Sequence, residues 1–427
     1  MAIATGAYGM CGRWIRLRAP TFPSNQKINQ LRIMKKHEFN YLLVAIASIF
    51  IVVLLLANCT KTDSAKQSGT GDGENQKSVK TNATGFVHPG ILNTKSSLDF
   101  IAGEANNTAT QRYQDYTNTV LAYCNSHSPS NAYKSNVVVA GGITTDDEIH
   151  FKGDALLCYA LALRWAKTGT ASYATTVKQI LDGWANAFRT MSVSSGNAAQ
   201  PTLEASWAAP TFTAAAEIIK WYVPANGQGA GWTDAENTQF TTFLNRLKDQ
   251  YINHVADQHY NNNWDVSAGY AKMAIGIFED SQTVYQNGLT IIKNMMPLVI
   301  AADGSMDNEI CGSHNDCTHF QYSLTGFTYA ANIAYMQGDQ TVYTINNSRL
   351  LTGYNYQYGL YHGTVHPSCG QTCSPNGATV WPGIEIADRH YHTTETAYIR
   401  DLADPYGLPG GDLGFLGWTT YTHHNVP

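Results

Sequence analysis

Two stretches in the second half of the chain repeat both a helical pattern and its letters. Asp280-Ser-Gln-Thr-Val-Tyr285 is echoed by Asp339-Gln-Thr-Val-Tyr343. Each follows an apolar run of helical period, Trp264–Phe278 in one case and Leu324–Met336 in the other, and each opens a second run with a single apolar stripe. The same unit stands earlier, where the nearly all-round apolar run Asp154–Lys167 is followed, after Gly169, by a stripe of Tyr173, Val177, Ile180, Leu181, Trp184 and Phe188. The marker tyrosines 173, 285 and 343 are spaced by 112 and 58 residues, about two periods and one, and a weaker copy at Trp232–Leu247 fills the gap. Helical hairpins at a fixed interval stack side by side, each burying the face its neighbour exposes. The expected fold class is therefore all-α, an (α/α) toroid or incomplete barrel in which the mouths of the inner helices share one cleft.

Hydrophobic residues at 44% suffice for one large core over most of the 427 residues. The net charge of −5 is uneven: residues 1–66 carry nine Lys and Arg against Glu38 and Asp63, leaving 18 basic and 30 acidic side chains in residues 67–427. Such a body does not bind nucleic acid by bulk charge, and any positive field for an anionic ligand has to be local.

The N-terminal region has its own logic. An apolar segment runs from Tyr41 to Ala57 behind Lys35 and Lys36, and Cys59 follows it. With Met34 as an internal start, residues 1–33 are expected to be an upstream extension, 34–59 a segment that resembles a bacterial lipoprotein signal with Cys59 as the lipidated residue, and 60–85 a flexible tether. A single uncleaved anchor is the alternative, since the run is near the ~17-residue minimum for spanning. Either way residues 86–427 are expected to be an exported catalytic domain, membrane-anchored at the bacterial envelope in the periplasm or at the cell surface. In that oxidising setting Cys311, Cys317, Cys369 and Cys373 are expected in disulfides, with Cys311–Cys317 and Cys369–Cys373 as plausible local loops.

Polar side chains collect at two helix mouths. Asn261, Asn262 and Asn263 precede Trp264, and His314, Asp316, His319, Gln321 and Tyr322 open the next long apolar helix. Amides can hold an anion and imidazole or phenol can move a proton. A third cluster, Arg389, His390, Tyr391 and His392, is the densest group of cations in the body, and it follows the Gly-rich, Cys-containing stretch 363–383. A loop folded back over the cleft mouth is the expectation there.

In order along residues 86 to 425, several runs resemble the alginate lyase domain family of polysaccharide lyases. They are His88-Pro-Gly with Leu98 and Phe100, Ala155-Leu-Leu-Cys-Tyr-Ala-Leu-Ala-Leu-Arg-Trp165, Trp207 with Ala214-Ala-Ala-Glu-Ile218, Asn263-Trp264, Asp303-Gly304 with Glu309, His319-Phe-Gln-Tyr-Ser-Leu324, and Gly383-Ile-Glu-Ile-Ala with His390-Tyr391. The resemblance implies a helical toroid that cuts a uronic-acid polysaccharide, such as alginate or glucuronan, by β-elimination without a metal or other cofactor. It places proton transfer at His319 or Tyr322, where the family often has a Tyr followed by His-Asn-Tyr and this chain has His. Asn263 would neutralise the sugar carboxylate, and Asn261, Asn262, Trp264, Gln321, Arg389, His390 and Tyr391 would bind the acidic polymer.

Three rivals stand beside it. A glycoside hydrolase on a similar toroid would need two carboxylic acids across the cleft, with Asp146, Asp147, Glu148, Asp307, Glu309 and Glu385 as candidates. A non-catalytic glycan-binding lipoprotein would share the helices and aromatics but has no use for a proton-transfer pair. Cys311, His314, Cys317 and His319 are spaced for zinc, which competes with the disulfide assignment.

Overall fold

A computed structural model describes residues 85–225, 227–258, 260–312, 315–375, 380–403 and 413–427. The apolar segment, Cys59 and the tether lie outside the described residues, as does His314. Among the described residues no helix is long and apolar enough to cross a membrane.

The helices pair as the repeat predicts. After α1 (Lys95–Ala105) come the hairpins α2/α3 (Asp146–Thr168, Ala171–Ala187), α4/α5 (Gln200–Trp221, Asp234–Gln250), α6/α7 (Asn263–Phe278, Gln282–Val299), α8/α9 (His319–Met336, Thr341–His362) and α10/α11 (Gly383–Tyr391, Thr394–Leu402). The first member of each pair is inner: α4 is buried from Gln200 to Ile219 and α8 from Phe320 to Ala334, whereas α3, α5 and α7 bury one stripe only. Each inner helix packs on the next, α2 on α4, α4 on α6, α6 on α8 and α8 on α10. A short helix, Thr419–His423, packs on both α10 and α1, and α1 packs on α2, so the ring closes. Arg112 fastens that closure by donating to the carbonyls of Thr420 (2.9 Å) and Tyr421 (2.6 Å) and to that of His424.

Local chemistry sets the helix ends. Thr145 and Glu148 form a capping box on α2, which therefore begins two turns before the expected Asp154. Its first turns carry Asp146, Asp147, Glu148 and Lys152, and those charges hide the apolar period. Thr233 with Glu236 caps α5, Ser281 caps α7, and Gly169 ends α2 in the left-handed conformation. The α6/α7 pair is drawn close by glycine: a Cβ on Gly288 would stand 2.5 Å from the carbonyl oxygen of Gly269. The helix α9 is broken at Ile345–Ser348, where Asn346, Asn347 and Ser348 are left-handed.

Departing from an all-helical expectation, two strands pair in parallel, β1 (Asn136–Ala140) with β2 (Thr190–Ser195). The Val137-Val-Val139 run supplies the β-branched residues, and the pair sets the loop 141–145 at the head of α2.

Candidate active site

The mouths of α2, α4, α6 and α8 and the loop after β1 surround a cleft of about 260 Å³. From α8 come His319 and Tyr322, one turn apart, with ring centres 5.4 Å from each other. Asp316 orders this mouth. One oxygen accepts from the backbone N–H of Thr318 (2.8 Å) and His319 (3.0 Å), the other meets His319 Nδ1 at 2.7 Å. Although burial works against its charge, those N–H donors and the imidazole hold the Asp316 carboxyl below its usual range. With Nδ1–H donating to Asp316, the basic lone pair of a neutral His319 sits on Nε2. Tyr322 is pinned between two indoles, stacked on Trp207 at 5.3 Å and 17° and tilted against Trp381 at 3.9 Å. Trp207 is itself fixed by donating from Nε1 to Ser267 Oγ at 3.1 Å.

From α6 come Asn263 and Trp264. Behind Asn263 lies Glu309, from the short helix Asp307–Ile310. Its Oε2 accepts from Asn263 Nδ2 at 2.9 Å and its Oε1 from the Ser323 hydroxyl. Burial pushes the Glu309 carboxyl up to about 7, against the pull of both donors, and Asp316 adds to the rise. Trp264 is half-buried at the rim, edge-on to Tyr260 at 4.7 Å, and can offer a face to a sugar ring.

The far wall holds residues that the sequence did not single out. Lys152 of α2 pairs with Glu204 of α4 at 2.6 Å, both 3% exposed, and Glu204 also accepts from Gln200 at 2.8 Å. Lys152 Nζ stands 5.3 Å from the Trp207 ring. Burial raises the Glu204 carboxyl; Lys152 pulls it down and Glu148 pushes it up, and the net direction is upward. A signal did exist for Glu204, which stands in the largely apolar stretch of α4 and, once buried, has to find a partner inside.

Other expected site residues stand elsewhere. Asn262 is spent on the N-cap of α6, accepting from Trp264 N at 3.0 Å, and Asn261 makes the left-handed turn before it. Gln321 is buried as a strut that accepts from Trp381 N at 3.1 Å. Arg389, His390 and Tyr391 form the last turn of α10 rather than a loop over the mouth. There Arg389 donates to the carbonyls of Val426 (2.7 Å) and Pro427 (2.8 Å), His390 stacks on Tyr343 at 3.6 Å, and Tyr391 donates to the Tyr343 carbonyl at 2.8 Å. The local disulfide loops are not formed. Cys311 bonds Cys369 and Cys317 bonds Cys373, so the two bridges lie side by side and tie the segment before α8 to the segment before α10. Both sulfurs of the zinc alternative are thereby consumed.

The carboxylates of the hydrolase alternative are dispersed. Glu148 and Glu204 share one wall, Glu309 is sealed behind Asn263, Asp146 is exposed, Asp147 accepts from Val138 N, Asp307 from Ser368 N, and Glu385 is held by Thr420 and His424.

The sequence model of the alginate lyase family matches residues 95–361, more than half of the chain. The chain belongs to the alginate lyase family. It is a polysaccharide lyase, built on the helical toroid of such enzymes. Alginate lyase A1-III from Sphingomonas species A1 superposes with a TM-score of 0.58 at 15% identity, over 78% of this chain and 98% of that one. Two substituted forms of the same alginate lyase, each complexed with a tetrasaccharide, match with TM-scores of 0.56 at 14% identity, over 78% of this chain and 97% of theirs. No curated protein matches this alginate lyase family member in sequence.

Proposed function

We propose that the protein cleaves alginate or a related polyuronate by β-elimination, with His319 as the base, Tyr322 as the acid, and Asn263 and Lys152 as the groups that neutralise the sugar carboxylate. The observation that carries this is the convergence of an Asp316-oriented imidazole, a pinned phenol, an amide and an ammonium on one cleft. The C5 proton next to a carboxylate is barely acidic until donors spread that carboxylate's charge. Asn263 supplies an amide N–H and Lys152 an ammonium for which the sugar competes with Glu204. Nε2 of His319 then takes the C5 proton, the C4–C5 double bond forms, and the Tyr322 phenol protonates the departing O4. Trp264 gives a neighbouring sugar a face on which to rest.

Two disulfides beside the mouth of α8 and the lipoprotein-like segment 34–59 support an exported enzyme, tethered at Cys59 and held in the bacterial envelope. The test is incubation with polymannuronate, polyguluronate and glucuronan, with a chelator present, followed by the ultraviolet absorbance of the unsaturated product. New reducing ends without an unsaturated sugar mean hydrolysis and overturn the reaction; loss of activity on chelation overturns its independence of metal.

A further inference from the structure

Among the described residues Glu309 pairs with no cation. It is 1% exposed, and its two oxygens are held by Asn263 and Ser323, the one lining the cleft and the other next in sequence to Tyr322. The charge that bears on it is that of Asp316 at the head of α8, while Asp265 follows Asn263 by two residues and Asp307 lies on the same short helix as Glu309. The imidazole at the same mouth, His319, is turned to Asp316.

A sugar carboxylate that accepts the other Asn263 N–H brings a second negative charge to the same amide nitrogen, one amide group away from the first. We propose that Glu309 is a positioning residue that takes up one proton from solvent when a uronate docks on Asn263, so that the bound amide bridges a carboxylate and a carboxylic acid instead of two carboxylates. On uptake, the new O–H of Glu309 donates to Ser323 Oγ, whose hydroxyl turns from donor to acceptor. The other carboxyl oxygen still accepts from Asn263, and the amide keeps its orientation. The carboxyl is already poised near neutrality by burial, so one further like charge suffices to tip it. Substrate binding and proton binding are then linked, and each strengthens the other.

This inference rests on the polyuronate reading. The experiment is calorimetric titration of a mannuronate tetrasaccharide into the His319→Ala protein, in which cleavage is suppressed and the site imidazole no longer titrates. Using pairs of buffers with different ionisation heats gives the protons taken up per sugar bound. The expected uptake is about half a proton at about pH 8 and close to none at about pH 5.5, and the added substitution Glu309→Gln abolishes it. Ser323→Ala, which removes one donor to the charged form, is expected to move the midpoint of uptake to higher pH; it serves also if Glu309→Gln does not fold. Binding without uptake at the higher pH, uptake that survives Glu309→Gln, or an unmoved midpoint in Ser323→Ala each overturns the role of Glu309. Absence of binding together with absence of unsaturated product from any polyuronate overturns the reading beneath it instead.

Discussion

Lys152 and Glu204 show how much a single buried pair decides. With both partners 3% exposed, removing one strands the other's charge in the interior, and Lys152→Ala is expected to cost about 3–5 kcal/mol in denaturant unfolding. The double change Lys152→Met with Glu204→Leu should recover most of that stability while raising KM for a polyuronate, because packing is restored and the ammonium is not. On the proposed mechanism His319→Ala and Tyr322→Phe should leave the circular dichroism spectrum intact, and at least one should lower kcat by about 10²-fold or more. Near-wild-type kcat in both would remove the proton-transfer assignment. Asn263→Ala should lower kcat more than it raises KM, since the charge it spreads is largest in the transition state. His319, Tyr322, Asn263 and Trp264 were legible as a polar group at helix mouths. Lys152 was not, because a lysine among the acidic side chains of residues 146–154 carries no mark of where its partner lies, and the Arg389 cluster misled because density of charge along a sequence says nothing about which backbone carbonyls will claim it.

At the scale of elements, hairpin pairing followed from the repeat because an amphipathic second helix behind an apolar first one has a single way to bury both. The disulfides did not follow. Spacing within each pair allowed local loops, and only the fold brings 311–317 against 369–373. The crossed bridges brace the mouth of α8 from outside, where Cys317 sits two residues before His319. Replacing Cys317 and Cys373 together by Ser should lower kcat on a confirmed substrate while far-ultraviolet dichroism stays unchanged; an unchanged kcat would show that α8 holds its own mouth. Between α6 and α7 the reverse applies. Gly288→Ala forces a methyl onto the Gly269 carbonyl and should cost about 1–3 kcal/mol of stability without altering the cleft chemistry.

The molecule as a whole is laced together at the end remote from the cleft by His88. Its Nδ1 stands 3.0 Å from Glu217 Oε2, its Nε2 3.0 Å from Asp280, and its ring stacks on Trp221 at 4.5 Å, so the N-terminal segment is pinned to the ends of α4 and α6. Burial works against the imidazolium, but the two carboxylates outweigh it and raise His88 above 6.5. A raised histidine contributes its full stabilisation below its unfolded value, and that contribution is lost as pH rises through the folded value. Glu217, wholly buried, is itself pushed up by burial, which narrows the window from the acid side. His88→Gln should therefore lower the melting temperature at about pH 6 by more than at about pH 9, and an equal loss at both would mean that packing on Trp221 is all the ring provides.

Closure of the ring by Thr419–His423 also fixes an order of events. The stretch that joins α10 to α1 is made after every helix it closes on, so until it emerges the protein is an open arc with the apolar flanks of its two end helices uncovered. A chain cut short before Thr419 keeps those flanks, together with the donors of Arg112, on display. Incompleteness is thus written on the surface, in a form that chaperones and proteases sense.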